Sequence, residues 1–216
     1  KEKSYHVTVF EELASFYRED VQKQYADGKA PGMTREPAVP DDLLKKAAGF
    51  TDTAVISISR FSGEGWDRKS IYDKKEETDK VAISGLESSP DAPPGKQEDE
   101  EIPLFEDGDF YLTHAEKAMV DAVKSNFAKV VVVLNVGGMV DTEWFIGDAG
   151  IQSVLMAWQG GIEGGLAAAE LLIGEGNPCG KLSDTFAKRL EDYPSTYNFH
   201  ESKDYVEYTD DIYVGY

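Results

Sequence analysis

Val130-Val131-Val132-Val133-Leu134 is the stretch that decides the fold: five consecutive apolar residues, four of them valine. β-Branched residues favour extended backbone, and an unbroken apolar run, rather than an alternating one, marks a strand covered on both faces, as in parallel sheets. Upstream, Thr113-His114-Ala115-Glu116 is a capping box, in which Thr and Glu each satisfy a backbone N–H at a helix start. Ala115, Met119, Val123 and Phe127 follow at four-residue spacing, one helical face. Downstream, Gln152–Trp158 reads as another short apolar strand, and Glu163–Ile173 as an Ala/Leu-rich helix ended by Gly174. Further upstream, Ala54–Ile58 reads as a strand. Pro40-Asp41-Asp42 opens a helix with Leu43, Leu44, Ala47 and Ala48 on its apolar face. Helices alternating with strands imply right-handed crossovers. The expected fold is α/β: a three-layer α/β sandwich with a mostly parallel sheet of about five or six strands and helices on both faces.

The first 50 residues are less regular. Val9, Leu13, Phe16 and Tyr17 give a short helix, Val21–Tyr25 reads as a strand ended by Asp27-Gly28, and Gly28–Pro37 as loop. Between Ser62 and Phe110 the pattern breaks down. Ser88-Ser89-Pro90-Asp91-Ala92-Pro93-Pro94-Gly95 and the acidic run Glu98-Asp99-Glu100-Glu101 are turn-prone and charged, and loops of this length are functional or disordered. No internal repeat and no domain boundary is visible, so residues 1–216 read as one domain.

A chain of 216 residues, 41% hydrophobic and 11% aromatic, can build a full core. Its net charge of −19 argues against nucleic acid and anionic membranes as partners. No apolar run is long enough to span a bilayer. A lone cysteine, Cys179, forms no internal disulfide. Lys1–Tyr5 is not a signal peptide, and the apolar run Ile212–Tyr216 has no polar tail. The expectation is a piece of a larger protein, cytoplasmic unless a missing N-terminus carried a signal. His6, His114 and His200 are scattered without metal-ligand spacing, so no metal or cofactor is expected. Ser62 lacks the nucleophile elbow of esterases, and Gly137-Gly138 lacks the glycine pattern and lysine of a phosphate loop.

Parallel sheets carry their active groups in loops at the carboxyl ends of strands. After Ala54–Ile58 comes Ser59-Arg60-Phe61-Ser62-Gly63-Glu64-Gly65-Trp66-Asp67-Arg68; after Val130–Leu134 comes Asn135-Val136-Gly137-Gly138-Met139-Val140-Asp141-Thr142-Glu143-Trp144. Glu64, between two glycines, can ride on a tight exposed turn. Apolar neighbours such as Phe61 and Trp66 would raise its pKa, which suits a general acid near neutral pH. Gly-Glu-Gly alone is a weak signal and reads as a solvated turn. Asp67 and Arg68 read as a local ion pair holding the loop, and Trp66 as packing beneath it. Asp141 and Trp144 read as cap and packing of the second loop, Trp158 as core, and Glu163 as a carboxylate at a helix start.

The Ser-Gly-Glu-Gly-Trp-Asp-Arg core of the first loop resembles the acid/base loop of family 3 glycoside hydrolases, the group of many β-glucosidases. Phe110-Tyr111-Leu112-Thr113 resembles the family's approach to its next helix. The stretch Val131–Asp141 is similar to V-V-L-N-x-G-x-P-V-D, Ala157–Gly165 to A-W-x-P-G-x-E-G-G, Asn177–Leu182 to N-P-S-G-K-L, and Asp211–Tyr216 to the segment closing the family's C-terminal α/β sandwich domain. These blocks stand in family order from about residue 54 onward, with the first 50 residues matching loosely. The prolines of the family pattern are absent at Met139 and Gly160, Cys179 replaces a serine, and residues 69–109 exceed the usual connection. A lid, a subsite wall and a contact within a homo-oligomer are the roles open to that insertion.

The resemblance implies a retaining, exo-acting β-glycosidase of β-glucosidase type, with Glu64 as acid/base, Trp66, Asp67 and Arg68 near the sugar, and a β-glucoside or related oligosaccharide as substrate. A retaining glycosidase needs a second carboxylate as nucleophile. In the family it is an aspartate on a (β/α)8 barrel, in a Ser-Asp-Trp or Thr-Asp-like context; neither Ser-Asp-Trp nor Thr-Asp-Trp occurs here, and Ser183-Asp184-Thr185 and Thr209-Asp210-Asp211 lie in other blocks. A barrel domain, in the same precursor or in a separate chain, is therefore the implied partner. The alternative is a non-catalytic carbohydrate-binding or interaction domain.

Overall fold

A computed structural model describes residues 10–29, 34–60, 68, 70–72, 104–198, 201–202 and 204–214. In chain order these form α1 (Glu11–Ala26), α2 (Asp41–Phe50), β1 (Thr53–Arg60), α3 (His114–Asn126), β2 (Lys129–Val136), β3 (Ser153–Met156), α4 (Gly164–Leu172) and the single turn α5 (Ser195–Asn198). The strands make one parallel sheet in the order β1-β2-β3, with Thr53 opposite Lys129 and Val131 opposite Ser153. The α/β class and parallel sheet match the sequence reading. The number of strands is smaller than the five or six expected: three among the described residues.

Side chains alternate across a strand, and the register places like parity side by side. Ile56, Ile58 and Arg60 of β1 lie beside Val132, Leu134 and Val136 of β2, and every one of them is buried. Val154 and Met156 extend this face onto β3. Val120 of α3, with Met119 and Val123, packs against it, and Leu112, Val140 and Ile151 complete the cluster. The other parity is more open: Val55 is 55% exposed and Ser57 and Ser59 are exposed, while Val131 and Val133 are half-buried. The apolar run of β2 thus serves one fully buried face and one partly covered face.

Helix α3 starts as its sequence requires. The Thr113 hydroxyl accepts from Glu116 N–H at 3.1 Å, and the Glu116 carboxylate accepts from Thr113 N–H at 2.8 Å. In α2, Leu44 and Ala47 are the buried residues, and its rim meets α1 through the Phe10–Phe50 ring contact and the Lys46–Glu12 ion pair at 2.9 Å.

The strand expected at Val21–Tyr25 does not form; these residues are the last turns of α1. Val21 and Tyr25 are four apart, a helical spacing as well as a loosely extended one, and the intervening Gln and Lys are good helix formers. Tertiary bonds reinforce the helix. Gln24 exchanges two hydrogen bonds with the Arg35 backbone at 2.8 and 2.9 Å, and the Tyr17 hydroxyl donates to Glu36 at 2.6 Å. Burial beside that carboxylate pushes the Tyr17 pKa far upward, and burial also raises that of Glu36. Among the described residues, no helix is long and apolar enough to cross a membrane.

Leu134 is 1% exposed at the centre of the core and Val55 lies on the open face. Leu134→Ala should therefore lower stability by about 2–5 kcal/mol, whereas Val55→Ala should stay within about 1 kcal/mol. Urea unfolding of the intact protein, read by tryptophan fluorescence, checks the contrast.

Candidate active site

Parallel strands all end at the same edge of their sheet, so the loops after β1 and β2 are brought together by topology. Arg60 is the last residue of β1 and has the buried parity, with 3% exposure. A guanidinium there needs every donor satisfied, and each of its nitrogens is engaged. Nε donates to the Asp109 carbonyl at 2.8 Å. Nη1 donates to the Ser59 carbonyl and to Glu116 Oε1, both at 2.8 Å. Nη2 donates to the Tyr111 carbonyl at 2.9 Å and to Glu116 Oε2 at 2.7 Å. The Phe105 ring lies 5.0 Å from the guanidinium carbon. Glu116 therefore serves twice, as the capping-box carboxylate of α3 and as the forked partner of Arg60.

Eight positions further on, Arg68 returns to the same segment. Its Nε donates to both carboxylate oxygens of Asp109 at 2.9 and 3.0 Å, and its Nη2 to the Asp109 carbonyl at 3.1 Å. Its Nη1 reaches the Met139 carbonyl in the loop after β2 at 2.7 Å. Gly138 leaves space for that reach: a Cβ at this position would sit 3.1 Å from Arg68 Nη1. Asp109 is itself 5% exposed. Asp141 N–H donates to the neighbouring Phe110 carbonyl at 2.9 Å, so the second loop is tied to the same segment.

Beside this junction lies a cleft of about 240 Å³, lined by Arg68, Ser70, Asp109, Phe110, Met139, Leu190, Tyr193, Ser195 and Thr196. Its far wall is fastened through Glu191, which accepts from the Tyr72 hydroxyl at 2.6 Å and from that of Tyr111 at 3.3 Å. Those hydrogen bonds hold the Glu191 carboxyl below its usual range and push Tyr72 well above the ordinary phenol value.

Of the residues singled out in the sequence, Arg68 stands in this junction, and its strong partner is Asp109, forty-one positions away. Glu64, Trp66 and Asp67 lie outside the described residues, as does most of the 69–109 insertion. Asp141 and Trp144 shape the second loop as read: the Asp141 carboxylate accepts from Glu143 N–H at 2.9 Å, and the Trp144 indole donates to the Asp141 carbonyl at 3.1 Å. Burial raises the Asp141 pKa. Trp158 packs against the core and against Phe186, with rings 6.2 Å apart, and holds a left-handed backbone at φ 53°. That conformation is uncommon for a bulky residue, and it opens the turn after β3. Glu163 precedes the first residue of α4. The absence of proline at Gly160 also has a reason. A Cβ there would lie 2.6 Å from the Gly164 Cα, so the backbone as it stands admits only glycine.

Sequence reasoning missed Arg60, Asp109 and Glu116 as a unit. One signal was present: the buried parity of β1, read onward from Ile56 and Ile58, lands on Arg60. An inward charge at a strand end needs a partner.

The fold and this junction define a parallel α/β domain whose strand-end loops are gathered on one arginine-bound segment. Residues 2–216 match the family described as "Glycosyl hydrolase family 3 C-terminal domain", and the chain belongs to that family. It is 56% identical over 210 residues to Beta-glucosidase A of Butyrivibrio fibrisolvens, covering 97% of this chain and 24% of that protein. It is 34% identical to a beta-glucosidase of Ruminococcus albus, covering 95% of this chain and 19% of that protein. Among solved structures it is similar to a beta-glucosidase from Paenibacillus barengoltzii, with a TM-score of 0.69, 31% identity, and 97% of this chain and 20% of that one covered. It is also similar to beta-glucosidase 3B from Thermotoga neapolitana in complex with glucose, with a TM-score of 0.64, 31% identity, and 95% and 26% coverage. The chain thus spans about a quarter or less of the length of these relatives.

Arg60 and Glu116 have side chains 2% and 14% exposed. Arg60→Met should lower stability by about 3–5 kcal/mol, because it strands a carboxylate that only half its partners then satisfy. Glu116→Gln should cost less, since it keeps an acceptor for both the guanidinium and the cap. Differential scanning calorimetry of the two variants of the intact protein gives the order.

Proposed function

We propose that this chain is the C-terminal part of a retaining, exo-acting β-glucosidase, that Glu64 is its general acid/base, and that the nucleophilic aspartate stands on a (β/α)8 barrel outside this sequence. The observation that carries the reading is the Ser62–Arg68 acid/base-type loop in a chain of this family, rooted at the carboxyl end of β1. The names of the relatives, all beta-glucosidases, support the substrate class. Their greater length leaves room for the barrel.

In the first half-reaction Glu64 protonates the glycosidic oxygen as the bond to the anomeric carbon breaks, while the barrel aspartate attacks that carbon. In the second, the Glu64 carboxylate takes a proton from water, which displaces the aspartate and restores the β-configured sugar. Retention requires the two carboxyl groups to stand about 5–5.5 Å apart. The strand-end loop of this domain must therefore face the mouth of the barrel. Trp66 and Asp67 are assigned to the sugar side of the loop. Arg68, whose nitrogens are spent on Asp109 and Met139, is assigned to holding it.

Glu64→Ala in the intact enzyme should cost at least about 10²–10⁴-fold on an unactivated β-disaccharide. An aryl β-glucoside with a good leaving group should still form the glycosyl-enzyme intermediate, which should accumulate. Azide, which needs no deprotonation, should restore turnover and give a β-glucosyl azide. Near-normal hydrolysis of the disaccharide, or azide rescue confined to a variant at a different carboxylate, would rule Glu64 out.

A further inference from the structure

We infer that Asp109 is a positioning residue for the acid/base loop, a single buried anchor to which both stems of the loop are bonded. The inference rests on Glu64 being the acid/base. Residues 61–67 connect Arg60, the end of β1, to Arg68 in the sequence, and both arginines bond to Asp109: Arg60 through Nε to the carbonyl at 2.8 Å, Arg68 through Nη2 to the same carbonyl at 3.1 Å and through Nε to the carboxylate at 2.9 Å. Two chain ends held on one residue cannot drift independently.

The two stems differ in what they lean on. Arg60 is also fixed by Glu116, Ser59 and Tyr111, so the β1 stem keeps its place without the Asp109 side chain. The Arg68 stem has the Asp109 carboxylate, which takes two of its bonds, and beyond it only the Asp109 and Met139 carbonyls. Removing the carboxylate therefore loosens one stem while leaving the other, and the core beneath it, in place. A general acid must meet the leaving oxygen at hydrogen-bond distance, and small misplacement remote from the chemistry can cost about 100-fold. A loosened stem should accordingly appear as lost proton donation rather than lost sugar binding.

The test uses the full-length enzyme with Asp109→Ala, Asp109→Asn and Arg68→Lys, each assayed on an unactivated β-linked glucose disaccharide and on 2,4-dinitrophenyl β-glucoside. Asp109→Ala should lower kcat on the disaccharide by about 10–100-fold with KM little changed, and should lower glycosylation by the activated aryl glucoside only a few-fold. Asp109→Asn, which keeps one acceptor for Arg68 Nε, should recover part of the loss. If Asp109→Ala fails to fold, Arg68→Lys probes the same contact from the half-buried side, since a lysine cannot bond the carboxylate and the Met139 carbonyl together. In the Glu64→Ala background the Asp109 change should add no further leaving-group discrimination, because the proton it helps to deliver is already gone. Equal losses on the two substrates, or a lowered melting temperature with the leaving-group dependence intact, would overturn the inference and leave Asp109 a purely structural residue. A steepened leaving-group dependence in Glu64→Ala without any steepening in the Asp109 variants would sink this inference alone. Its absence in Glu64→Ala itself would sink the functional reading.

Discussion

A charged residue on the buried side of a sheet is the constraint around which this domain is arranged. Arg60 stands where the alternation of β1 calls for an apolar side chain. Its guanidinium carries five N–H donors, and leaving any of them unpaired in the interior is costly. The surrounding chain supplies the acceptors: a forked carboxylate from the first turn of α3, and carbonyls from Ser59, Asp109 and Tyr111. The start of α3, the end of β1 and the 109–111 segment are therefore locked to one another by one side chain. That lock lies at the edge of the sheet where functional loops belong.

The second arginine extends the arrangement sideways. Arg68 ties the loop after β1 to Asp109, and through the Met139 carbonyl to the loop after β2. The glycine before Met139 keeps that path open. Two loops from adjacent strands and one crossing segment thus share a hydrogen-bonded framework. Pre-organisation of this kind matters for a catalytic carboxyl, whose contribution depends on sub-ångström placement and not merely on presence.

Much of the fold was legible in the sequence because its signals are local. The valine run of β2, the capping box at Thr113 and the apolar face of α2 each fall within a dozen residues. Val21–Tyr25 was misread because two apolar residues four apart fit both periods, and the deciding contacts, from Arg35 and Glu36, lie beyond the segment. The candidate site was legible only in part. The Glu64 loop stands out by its glycines and its family resemblance, and the second loop by its position after β2. The network between them was not legible, because Arg60 meets Asp109, Tyr111 and Glu116 49 to 56 positions away and Arg68 meets Asp109 across 41. Separations of that size are set by the crossover from β1 to β2, and no sequence window spans them.

In the proposed mechanism, the proton given to the departing sugar comes from Glu64. The pH dependence of kcat/KM for the intact enzyme on an unactivated β-disaccharide tests it most directly, since the basic limb reports loss of the proton from the essential acid of the free enzyme. Glu64→Gln should abolish this limb and leave the acidic limb in place, and Glu163→Gln, a change at the start of α4, should leave both limbs unmoved. A basic limb that survives in Glu64→Gln would rule out Glu64 as the acid.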